Sequence, residues 1–144
     1  MEELKRSKRP FSVTILSSGV LILAIMNALR FTTTIKSWDL MRNYSSPPGP
    51  FYLALTGLIW MLIGLVLFYG LWGGYWWSRR SLLPVTILYF VYYWFDRLFF
   101  HYSGPHQNWF FTLSFMLIVI IIVIIAQILP ASRTYFAARE KHER

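Results

Sequence analysis

The stretch "YYWFDRLFF", residues 92–100, sets Asp96 and Arg97 inside a run of aromatic and aliphatic side chains. A carboxylate in such surroundings has two uses. It can take up and release a proton or a cation, or it can pair with a base and hold helices in register. Tyr89, Tyr92 and Tyr93 precede Asp96 at spacings that place them on its face of a helix. Earlier in the chain, "NALRF" carries Asn27 and Arg30, three positions apart. Helical side chains lean toward the helix N-terminus, so Arg30 leans down to the level of Asp96. The expectation is one polar cluster of Asn27, Arg30, Asp96, Tyr92 and Tyr93. It pins the helices, serves as a proton or cation site, or pairs with a neighbouring subunit. Arg97 is rotated by about 100° from Asp96 and is expected to snorkel to the lipid headgroups.

Other reactive groups are sparse. The chain has no Cys, which removes disulfides, thiolate metal sites and thiol chemistry. Of the three His residues, His101 and His106 flank a short turn and His142 is in the tail. Two imidazoles without a carboxylate or thiolate make an incomplete metal shell, and no metal site is assigned. Either one has the chemistry to ligate a pigment magnesium. The acids are Glu2, Glu3, Asp39, Asp96, Glu140 and Glu143, with no paired carboxylates, phosphate loop or nucleophile elbow. The reading is therefore non-catalytic, with no cofactor assigned. Whether a lipid, quinone or pigment is bound stays open.

The elements that must position these residues are apolar helices. Of 144 residues, 56% are hydrophobic and only 14% charged, too apolar for an ordinary soluble domain. Four stretches are long enough to cross a hydrocarbon core, near residues 11–30, 51–72, 82–100 and 108–129. The chain reads as one membrane domain, an all-α four-helix bundle, followed by a tail over 130–144. The first span reads as a retained signal anchor, since no small-residue cleavage site follows it. The β-branched run "IVIIIVII", residues 118–125, would suit a strand in water. In lipid the backbone must satisfy itself within the segment, so helix is expected there. Pro84 is assigned to the first turn of the third span, where it removes no helical hydrogen bond.

Ten of the fourteen Lys and Arg residues fall before the first span, between the second and third, or after the fourth. With an even number of spans these are on one side, which the positive-inside rule makes the cytoplasm for both termini. The net charge of +8 comes in clusters suited to anionic headgroups, with no element for reading nucleic acid. Trp76, Trp77, Arg79 and Arg80 form an interfacial anchor on that side. On the other, Phe31, Ile35, Trp38 and Met41 recur at helical spacing, which predicts a short interfacial helix in the first outer loop. Ala54, Gly57 and Gly64 mark a face of the second span where another helix approaches closely. Gln127 is expected to make a single interhelical hydrogen bond.

The segments "RPFSVTIL", "NALRF", "FYLALTGLIW" and "YYWFDRLFF" resemble those of small four-helix membrane proteins of bacteria. The likeness covers nearly all the spans, carries no activity, and implies a bacterial inner membrane. The function expected is that of an accessory or structural subunit of a larger respiratory or photosynthetic complex, with other integral membrane subunits and lipids as partners. The alternative is a small homo-oligomeric proton- or cation-coupled transporter or channel using Asp96. Asp96→Asn separates the two: it abolishes transport in the second case and only loosens assembly in the first.

Overall fold

The computed structural model describes residues 10–43, 48–100, 108–130 and 132. They form an all-helical protein: α1 (Phe11–Lys36), α2 (Trp38–Asn43), α3 (Pro50–Gly73), α4 (Trp76–Phe100) and α5 (Trp109–Ile128). The β-branched run 118–125 is helical throughout. Among the described residues α1, α3 and α5 are long and apolar enough to cross a membrane. At 25 residues α4 is as long, but it carries Arg79, Arg80, Asp96 and Arg97.

The helices run past their sequence-derived limits for local reasons. Thr32, Thr33 and Thr34 each donate a hydroxyl to a carbonyl of the preceding turn, and α1 continues through them to Lys36. The break at Ser37 separates it from α2, which has no buried residue. Pro50 occupies the first turn of α3, where its missing N–H is not needed. Gly74 ends α3 in the left-handed region at φ 73°, its N–H reaching Leu71 O while that of Tyr75 reaches Gly70 O. This Schellman turn reverses the chain so tightly that α4 starts at Trp76.

The early start moves Pro84 from the first turn into the helix interior. There it has no N–H to give the Arg80 carbonyl, contrary to the sequence expectation. The segment 76–81 is helix rather than loop.

The most extensive contact joins α1 to α3, which lie antiparallel. Gly64 packs against Ala24, where a Cβ on the glycine would lie 2.9 Å from the alanine Cβ. Gly57 packs against the α1 backbone, with a Cβ there 3.2 Å from both Asn27 O and Phe31 N. Ala54 is buried on the same side. Small side chains thus let two backbones approach, and the gain is dispersion across a close interface. Next, α4 packs on α3 and α5 on α4. A core of Val13, Leu16, Leu67, Leu71, Leu82, Val123 and Ala126 ties the four long helices together at one end. There the Ser12 and Ser132 hydroxyls meet at 2.9 Å.

Candidate functional site

At the opposite end from that core, α1, α3 and α4 converge on Asp96. Its Oδ2 lies 3.6 Å from Arg30 Nη2, with the carboxylate side chain 12% exposed and the guanidinium 30%. Arg30 also donates Nη1 to the Tyr92 hydroxyl at 3.0 Å. From α3, the Tyr52 hydroxyl interacts with the same carboxylate, and its ring meets Phe100 at 4.9 Å. Asp96 Oδ1 is buried and has no hydrogen-bond partner among the described residues.

The remaining sequence-selected residues divide around this centre. Asn27 is buried and donates Nδ2 to Leu23 O, with its side chain beside Tyr89. It therefore sits between the ion pair and the interior rather than on the carboxylate. Tyr93 turns to Arg97. That guanidinium is engaged between helices, which the snorkelling expectation did not include: its Nη1 donates to the Tyr93 hydroxyl and to Thr112 Oγ1, both at 3.2 Å. The physical reason is Thr112 in the first turn of α5, an acceptor within reach that sequence spacing on α4 alone does not reveal. Trp94 joins the same two helices, donating Nε1 to Met116 Sδ at 3.1 Å.

The anchor residues behave differently from one another. Arg80 lies over the Trp76 ring at 4.7 Å, and Trp76 is largely exposed. Trp77 instead packs on the core and crowds Gly70, because the tight Gly74 turn folds it inward. Arg79 also turns inward. Its Nη2 donates to Gln127 O at 2.8 Å, and Gln127 Nε2 donates back to Arg79 O at 3.1 Å. This reciprocal pair satisfies one of the carbonyls left open at the end of α5. Trp38 is half-buried on α2. His101, His106 and His142 lie outside the described residues, as do the terminal basic clusters.

Between the ion-pair end and the core, the four long helices enclose a cavity of about 610 Å³. Leu16, Leu82 and Val123 line it at the core end, and Asn27, Tyr93 and Thr112 at the other. Asp96 and Arg30 do not line it. Because α1 and α5 touch only sparingly, exposed residues of both helices, such as Ile22 and Phe115, belong to its wall. The cavity is therefore open sideways between α1 and α5. Sequence patterning gives little sign of this, since large apolar residues are spread around both helices.

No family model, curated protein or solved structure matches the chain. The likeness to bacterial four-helix proteins read from the sequence thus gains no support from these comparisons. Fold and composition define an all-helical protein of membrane type, with three helices among the described residues long and apolar enough to cross a bilayer.

Proposed function

We propose that this chain is a non-catalytic accessory subunit of a larger membrane complex, respiratory or photosynthetic, whose assembly it stabilises. The observation that carries the reading is the closed state of Asp96. The one carboxylate on the long helices faces Arg30 and Tyr52, and it does not open onto the cavity. A carboxylate so held stabilises a helix arrangement. Large apolar side chains cover the outer faces of α1, α3, α4 and α5, as lipid or neighbouring subunits require.

In this reading α4 is a fourth span, completing a four-helix bundle in a bacterial inner membrane. Its ionised groups are accommodated near its two ends, in pairs with α1 and α5. Both termini are cytoplasmic, since Ser12, Ser132, Arg79 and Arg80 share one end and the basic clusters of the sequence flank that end. α2 lies along the outer interface. Partners are other integral subunits and lipids, and the test is the composition of the particle released from the native membrane by mild detergent.

A second reading is favoured by Asp96 Oδ1, buried without a hydrogen-bond partner among the described residues. In a small homo-oligomeric transporter or channel, that oxygen would receive a proton or a cation. Flux through reconstituted vesicles that Asp96→Asn abolishes supports this reading against the first.

A further inference from the structure

The cavity between α1 and α5 has a chemical polarity that the accessory role does not use. Its lining from Leu16 to Asn27 covers eleven helical steps of α1, a length of about 16 Å at 1.5 Å per residue. One end is aliphatic, with Leu16, Leu67, Leu82 and Val123. Toward the other end stand flat rings, among them Trp60, Tyr89, Phe90 and Phe115. Tyr93 and Thr112 close that end, and each hydroxyl already accepts an N–H from Arg97. A hydroxyl that accepts from a guanidinium is a strengthened donor through its own proton. Neither hydroxyl proton has an acceptor among the described residues, although both side chains form part of the cavity wall.

We propose that this cavity binds a quinone, with a ring carbonyl oxygen accepting from Tyr93 and Thr112 and the hydrocarbon tail lying toward Leu16 and Val123. Three features select this ligand over a phospholipid. The donors are two hydroxyls side by side, matched to a neutral carbonyl. The walls nearest them are aromatic faces, which suit a flat ring. The far end is aliphatic and suits a single hydrocarbon tail. A volume of about 610 Å³ falls within the range of small-molecule sites. The sideways opening lets such a ligand enter from the bilayer without crossing a polar surface.

Gly19 supplies the decisive variant. It lines the cavity, and a Cβ added there meets nothing within 4 Å. Gly19 is exposed, so Gly19→Leu sets an isobutyl group at the mouth of the cavity, its Cβ clear of neighbouring atoms. The full chain, purified in detergent micelles, is titrated with a decyl-substituted benzoquinone while tryptophan fluorescence is followed, Trp60 being part of the wall. The expected result is saturable quenching that Gly19→Leu removes. Tyr93→Phe with Thr112→Val is expected to weaken binding by about tenfold, the effect of two modest hydrogen bonds. Circular dichroism checks that each variant is folded. Quenching that rises linearly with quinone, or saturable quenching untouched by Gly19→Leu, overturns the proposal. So does full displacement of the quinone by an excess of phosphatidylglycerol, which would make the cavity a lipid site.

Discussion

Arg30 and Asp96 stand 3.6 Å apart, and around them Arg30 donates to the Tyr92 hydroxyl while Asn27 meets Tyr89, so that α1 and α4 are joined by polar side chains on both. The ion pair is the charged part of a polar link between α1 and α4, in a region where apolar packing alone fixes neither register nor rotation.

Removing one partner leaves the other charge partly buried and uncompensated. Asp96→Asn and Arg30→Gln are each expected to destabilise the fold by about 3 kcal/mol at most, and the double variant by less than the sum. Unfolding in mixed micelles measures the coupling. Strictly additive losses would show that the two side chains act separately.

The glycines of α1 and α3 differ in what surrounds them. Gly64→Leu forces atoms into Ala24 and is expected to cost about 1–3 kcal/mol. Gly19→Ala meets open space and is expected to be neutral or to stabilise by up to about 1 kcal/mol through helix propensity. The same unfolding measurement compares them. Equal effects would contradict the close α1–α3 approach.

At the core end, Arg79 and Gln127 exchange hydrogen bonds with each other's carbonyls. Gln127→Leu is expected to destabilise by about 1 kcal/mol and to speed amide hydrogen exchange at the start of α4. Unchanged exchange there would show that Arg79 holds the two helix ends without its partner.

How far the sequence specifies this arrangement depends on where the partner of each group lies. Long apolar runs announced α1, α3 and α5, since a chain in lipid must close its own backbone hydrogen bonds. Gly57 and Gly64 stood out for the same reason, as the positions where a helix surface is smallest. Arg97, Arg79 and Trp77 were another matter. Arg97 is directed by Thr112 on a different helix, and Arg79 by a backbone carbonyl that has no signature in residue type. Trp77 is folded inward by the turn at Gly74. Pro84 was displaced from its expected place because that same turn lengthens α4 by six residues, from Leu82 back to Trp76. The cavity goes with the sparse contact between α1 and α5, which residue types along either helix do not announce.

The most direct test of the accessory role is the native mass and composition of the particle extracted from its own membrane in mild detergent. The account predicts co-migration with a stoichiometric set of other integral subunits, and partial loss of that association in Asp96→Asn. A particle holding only copies of this chain with lipid would contradict it.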